Sequence, residues 1–205
     1  MKPAIVVRNL TKTYRVPEKT NGMLHVLTRK NKTITALNKV SFTVNEGEIL
    51  GYIGPNGSGK STTIKALTGI LTPTSGEVSV LGFVPWKERY EYTKNIGVVF
   101  GQKTLLWWDI PPYECFRLYK EIYEMDEKTY EKRINYLIQL FDIKTFMHTP
   151  TRKLSLGQRM RCEVVAALIP TPKILFLDEP TIGLDVVAKQ RMREAILEVN
   201  EKEHP

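Results

Sequence analysis

The chain has 205 residues, with 30 Lys and Arg against 22 Asp and Glu, a net charge of +8 with histidine neutral. Its 42% hydrophobic and 25% charged residues are those of a chain that buries a core, which excludes intrinsic disorder. No run reaches the roughly 18 apolar residues of a membrane span, and MKPAIVVRNL lacks a signal peptide's apolar stretch, so the chain reads as soluble and cytoplasm-facing. Cys115 and Cys162 form no metal-binding spacing, and a reduced compartment is the default.

The charge is local. Residues 1–40 hold nine basic residues and one acid, Glu18, and the remainder of the chain balances. Two readings stand: a local contact surface, or a solvated basic edge.

In chain order, AIVV (4–7) and VSFTV (40–44) are β-branched runs bounded by turn formers and predict strands. Between them, residues 17–33 are polar and basic and read as an insertion, with one short amphipathic turn or helix at Met23, Leu24, Val26 and Leu27. EILGYIG (48–54) predicts a strand running into a glycine-rich loop. Ile64, Leu67, Ile70 and Leu71 then repeat at helical spacing over 60–71. Strands follow at 77–81 and at 96–100 (IGVVF).

Residues 102–167 change character: Cys115, Leu118, Ile122, Ile134, Leu137, Ile138, Leu140 and Phe141 give helical periodicity. Their last helix starts at Ser155, a favoured N-cap residue, and ends before Pro170. KILFL (173–177) is the short continuous apolar run of a doubly covered strand. A closing helix at 186–200 points Val187, Ile196 and Val199 inward. The pattern is an α/β core with a helical lobe set into it.

Gly54, Pro55, Asn56, Gly57, Ser58, Gly59, Lys60, Ser61 and Thr62 fit G-x-x-x-x-G-K-[ST] between a predicted strand and a predicted helix. In such a loop the glycines let the backbone wrap closely and turn successive N–H groups toward phosphates. Lys60 adds a point charge, the Ser61 hydroxyl can ligate Mg²⁺, and the following helix sets its positive end on the anion. Asp178 and Glu179 end an apolar strand, where paired carboxylates need a cation, a hydrogen-bonded partner or a reaction to serve. Asp178 suits Mg²⁺, and Glu179 suits the activation of a water.

With these motifs the chain resembles, over nearly its whole length, the ATP-binding-cassette (ABC) ATPases. Leu154-Ser155-Leu156-Gly157-Gln158 is similar to the family's LSGGQ signature, with Leu156 in place of a glycine. The resemblance implies that Ser155, Gly157 and Gln158 contact ATP held by a partner subunit, joined by Asp185 of a D-loop at Gly183-Leu184-Asp185. It makes Gln102 the Q-loop glutamine, a ligand of Mg²⁺, and Tyr14 the aromatic that stacks on adenine; plain strand-end packing is the other reading of Tyr14. Catalysis then falls to Glu179, Gln102 and Lys60.

The implied fold is that of a P-loop NTPase: a RecA-like α/β core with N-terminal antiparallel β strands, plus an inserted all-α helical subdomain. Residues 1–101 and 168–205 would form the ATP-binding core and 102–167 the subdomain carrying the signature. The family's switch histidine would fall past Pro205, so the chain reads as a domain cut before its last core strand, which puts its own hydrolysis in question.

The stretches 79–87, 100–114 and 154–168 look most like subunits that pair with ABC-2-type permeases, mostly exporters. Trp107 and Trp108 then read as the place where the permease docks, or alternatively as cover for the lobe's own core. The implied ligands are ATP and Mg²⁺, and the implied partners are a permease and a second ATP-binding subunit, most simply a second copy, at the cytoplasmic face of the cell membrane. The competing reading is a soluble ABC ATPase acting on ribosomes or nucleic acid. Against it stand the single cassette and the lack of a long heptad insertion, so nucleic acid is not the expected partner.

Overall fold

The structure, a computed structural model, describes residues 2–17, 31–101, 103–181 and 183–203. It divides into two compact units, Met1–Arg89 and Tyr90–Pro205. The turn or helix expected at Met23–Leu27 lies outside the described residues.

In the first unit, β1 (Pro3–Pro17) is central, flanked antiparallel by β2 (Asn31–Asn45) and β3 (Ser75–Val80) in the order β2-β1-β3. The strands run longer than their apolar cores. Arg15 still pairs with Thr33 and Pro17 with Asn31, so both flanks of the expected insertion belong to the hairpin. The register shifts between Val7 and Leu10 on β1, where Asn9 has φ 50°. That irregularity breaks the strict alternation, so Ile5, Val7 and Leu10 all face the core.

Helix α1 (Lys60–Leu67) starts at Gly59, whose φ of 95° is left-handed. A β-carbon there would come within 2.6 Å of the Ala36 carbonyl oxygen and of Leu37 Cδ2, so only glycine lets the helix head sit this close to β2. Thr63, Ala66 and Leu67 are buried. The helix stops four residues short of the expected end, and Ile70 is exposed: Gly69, with φ 73°, carries the chain out of the helix.

The strand expected at 48–54 is absent. Among the described residues the sheet of this unit has three strands, none paired with 48–54, and Glu48 N donates to the Asn45 carbonyl at 3.2 Å in a local turn. Ile49, Leu50 and Ile53 are exposed. An apolar run without a ladder partner is not a strand.

The second unit contains α2 from Tyr90 onward (Arg89–Thr93), β4 (Ile96–Phe100), α3 (Pro112–Ile122), α4 (Glu127–Leu140), α5 (Leu156–Leu168), β5 (Ile174–Asp178) and α6 (Val186–Glu203). Strands β4 and β5 pair in parallel without a shift, Ile96 with Ile174 through Phe100 with Asp178. Their core is built mainly from helices: Phe116, Leu137, Ile143, Val164, Val165 and Ile169 are fully or nearly fully buried. Helix α4 is N-capped by Asp126, which accepts from Thr129 N at 2.9 Å. Arg133 closes the far end of α5 by donating twice to the Leu168 carbonyl, at 3.1 and 2.9 Å.

Two expected inward positions face outward. Ile122 ends α3 exposed, and Val187 is 62% exposed. The buried stripe of α6 runs through Met192, Ala195 and Val199, with Ala188 packed against it, one position out of phase with Val187. Both cysteines are buried and free. Among the described residues no helix is long and apolar enough to cross a membrane.

Candidate functional site

The phosphate loop of the first unit is exposed from Gly54 to Ser58, and half-buried from Gly59 to Thr62. Ser58 N donates to the Pro55 carbonyl at 3.2 Å, closing a turn around Asn56 and Gly57. The Lys60 ammonium is folded back over that turn, donating to the carbonyls of Gly54 at 2.7 Å and Pro55 at 2.9 Å. The head of α1 has a glycine N-cap with no capping side chain, and no acid in its first turn. Its positive end is therefore neither capped by a side chain nor neutralised, and a cation stands beside it: the chemistry that receives an anion.

Tyr14 is exposed, pairs with Ile34 and has Lys12 Nζ 5.2 Å from its ring centre. Lys12 pairs in turn with Leu37, the residue against Gly59, so Tyr14 lies only two residues along β1 from the position opposite the head of α1.

In the second unit Asp178 is half-buried at the end of β5, and its carbonyl accepts from Gly101 N at 2.9 Å. Glu179 follows, exposed, with φ 55°, an unusual backbone for a non-glycine residue. Gln102 lies outside the described residues. Its neighbours are held: Gly101 by Asp178, and Lys103 by a bond to the Phe100 carbonyl at 3.0 Å.

Ser155 stands at the head of α5 in a full capping box. Its Oγ accepts from Gln158 N at 3.1 Å, and Gln158 Oε1 accepts from Ser155 N at 2.9 Å. The first bond uses an oxygen lone pair and leaves the hydroxyl proton to another acceptor. Asp185 caps α6 by accepting from Ala188 N at 2.8 Å. The two heads meet: the space of a side chain on Gly183 is taken by Leu156, and that of one on Gly157 by Leu184. Residues 155–158 and 183–185 thus form one cluster within this unit.

Trp107 and Trp108 are 60% and 50% exposed, not folded into the lobe's core. The Arg159 guanidinium lies 5.4 Å from the centre of the Trp108 ring, and Arg152 pairs with Asp109 at 2.9 Å.

One buried acid escaped the sequence reading. Glu163, 2% exposed, lies in the buried face of α5 and accepts from Leu105 N at 2.7 Å, while the Thr104 hydroxyl is in short hydrogen-bond contact with its other oxygen. Burial pushes its carboxyl above the usual range, against the opposing pull of those hydrogen bonds and of Arg159. The one sequence signal for it is a lone acid in the otherwise apolar run Cys162–Leu168.

A glycine-capped helix head with Lys60 folded over its loop, paired acids at a strand end and a serine-capped helix are the features the motifs call for, and comparison with known proteins gives the family. The profile of the family described as "ABC transporter" matches residues 37–182. The chain is 32% identical over 174 residues to the ABC transporter ATP-binding protein NatA of Bacillus subtilis, covering 85% of this chain and 71% of NatA. It is 34% identical over 174 residues to YbhF of Escherichia coli, a probable multidrug ABC transporter ATP-binding protein, covering 85% of this chain and 29% of YbhF. Among solved structures it resembles the ATP-binding cassette MJ0796 in a dimeric post-hydrolysis state with ADP and Pi, at 28% identity and TM-score 0.78, covering 98% of this chain and 84% of that one. The chain belongs to the ABC transporter family and is one of its ATPase domains, with the P-loop NTPase fold.

Proposed function

We propose that this chain is the ATP-hydrolysing subunit of an ABC-2-type exporter, working by ATP-dependent closure of two such subunits at the cytoplasmic face of the cell membrane. The observation that carries the ATP site is the head of α1: a glycine N-cap, no acid in the first turn, and Lys60 poised over the loop. In this reading residues 1–101 and 168–205 are the ATP-binding core and 102–167 the helical subdomain. Tyr14 stacks on adenine, and Gly54 through Thr62 hold the phosphates, Lys60 as a point charge. Among the described residues no cluster of His, Cys, Asp and Glu would hold a metal unaided. Ser61, Gln102 and Asp178 offer only oxygen donors, which suits Mg²⁺ bound together with phosphates. The ion's contribution is neutralisation of phosphate charge.

Glu179 orients the attacking water and takes its proton. The water oxygen bonds to the γ-phosphorus, the bond to the β–γ bridging oxygen breaks, and ADP and phosphate leave. Ser155, Gly157, Gln158 and Asp185 contact the ATP of the second subunit, with the Ser155 hydroxyl donating to its γ-phosphate. Trp107 and Trp108, both exposed, receive the permease. Support for export rests on the resemblance of 79–87, 100–114 and 154–168 to such subunits, and the relative YbhF is named a probable multidrug transporter subunit.

Nucleotide binding and phosphate release test the chemistry. Lys60→Ala should lose ATP binding without loss of fold, and Glu179→Gln should keep binding while slowing release on the order of a hundredfold or more. Undiminished ATP binding by Lys60→Ala would overturn the site, and phosphate passed to an acceptor other than water would overturn the reaction.

A further inference from the structure

The three residues Thr104–Leu106, two positions beyond Gln102, form a strap whose polar groups are tied to two helices. Leu105 is held at both ends of its peptide: its N–H donates to Glu163 of α5 at 2.7 Å, and its carbonyl accepts from Tyr119 of α3 at 2.7 Å. Trp107 N donates to Cys115 Sγ at 3.4 Å, adding a second tie to α3. The Thr104 hydroxyl meets three groups. It accepts from Leu106 N at 3.0 Å, faces the Leu106 carbonyl at 3.0 Å, and lies against Glu163 Oε1.

A hydroxyl has one proton. Given to Glu163 Oε1, that proton joins the Leu105 N–H on the same carboxyl, while the Thr104 oxygen still accepts from Leu106 N. The Glu163 carboxyl thus accepts from both Thr104 and Leu105, one bond on each oxygen. Burying a carboxyl among α5 residues that are otherwise Met, Cys, Val, Ala and Leu is costly unless each bond is made. The head of that same helix, two turns away, is Ser155.

We propose that Glu163 is a positioning residue that fastens the strap after Gln102 to α5, so that the end of β4 and the Ser155 head of α5 respond to MgATP as one piece. The proposal rests on the reading of Gln102 and Ser155 given above. Glu163 touches no reacting atom. It acts by removing the freedom of the strap to move without the helix that carries the trans contact.

Amide hydrogen exchange of the whole chain tests it, in Glu163→Ala and Glu163→Gln. Without nucleotide, Glu163→Ala should speed exchange at Leu105 and Leu106 at least about tenfold, through local opening. Glu163→Gln, which can donate to Thr104 and still accept from Leu105, should stay within about threefold. In the unchanged chain MgATP should alter protection of 104–106 and 156–158 together. In Glu163→Ala, with ATP affinity within about twofold because residues 54–62 are untouched, the 156–158 response should be lost. Should Glu163→Ala fail to fold, Thr104→Val, which removes only the hydroxyl, is expected to loosen the strap in the same way.

Unaltered exchange at Leu105, or both segments of Glu163→Ala still answering MgATP, would overturn the role of Glu163 alone. MgATP that binds the unchanged chain yet leaves both segments untouched would overturn the reading of Gln102 and this role with it.

Discussion

Leu156 occupies the space that a side chain on Gly183 would need, and the arrangement is reciprocal: Leu184 Cδ2 lies 2.8 Å from where a β-carbon on Gly157 would stand. Each leucine fills the other segment's glycine gap, and the heads of α5 and α6 are held together by this interlock. Leu156 is also the residue that departs from the family's signature, so the departure is absorbed within the chain. Gly183, with φ 71°, is constrained by backbone and by space alike.

Gly183→Ala should therefore destabilise the chain by about 2 kcal/mol, part from left-handed backbone and part from the clash. Leu156→Ala removes only the clash. The double variant should recover on the order of 0.5–1 kcal/mol relative to the sum of the singles, read from urea unfolding in a double-mutant cycle. Strict additivity would show that the two residues do not touch.

Ser155→Ala removes the acceptor for Gln158 N and one half of the capping box, and should cost about 1 kcal/mol of stability. The same variant should weaken the trans contact without weakening ATP binding by the loop at 54–62, measured by nucleotide titration of the monomer. A loss of ATP affinity as large as the loss of stability would argue that Ser155 acts only through folding.

Glu163 makes stability depend on pH. Its carboxyl titrates above its ordinary value of 4.5 because burial disfavours the charged form, while the Thr104, Leu105 and Leu106 bonds and Arg159 pull the other way. Cys115, Tyr119 and Cys162 nearby are themselves pushed upward. A raised acid binds its proton more tightly when folded, so its contribution is fully present below pH 4.5 and is lost as pH rises through the folded value. Glu163→Gln, which cannot ionise, should gain melting temperature relative to the unchanged chain as pH is raised from 4.5 toward 8. A difference in melting temperature that stays constant over that range would contradict a buried neutral carboxyl.

The sequence made the local features of this fold legible where one residue's chemistry decides them. Ser155 caps its helix and Gly59 precedes α1 as expected, because capping and backbone freedom act over a few residues; the run at 173–177 does form a strand, but only Phe176 in it is buried, so the double covering expected of it is not there. Features that depend on distant partners were not legible. The segment 48–54 has a strand's composition and no ladder, and α6 buries Met192 and Ala195 rather than Val187, a phase set by what the helix packs on. Glu163 was hidden for the same reason: its partners Thr104 and Leu105 lie 59 and 58 positions away, so no local pattern announces it. The chemistry-bearing residues, by contrast, are dense in short motifs whose spacing is itself the signal.

In the proposed function two copies of this chain close around ATP, each supplying Ser155 to the other's phosphates. The solution mass of Glu179→Gln with and without MgATP tests it most directly, because blocked hydrolysis should trap the closed pair. The expected result is a monomer without nucleotide and a dimer with MgATP, and the loss of that shift in Glu179→Gln combined with Ser155→Ala. A chain that binds MgATP and remains monomeric would contradict it.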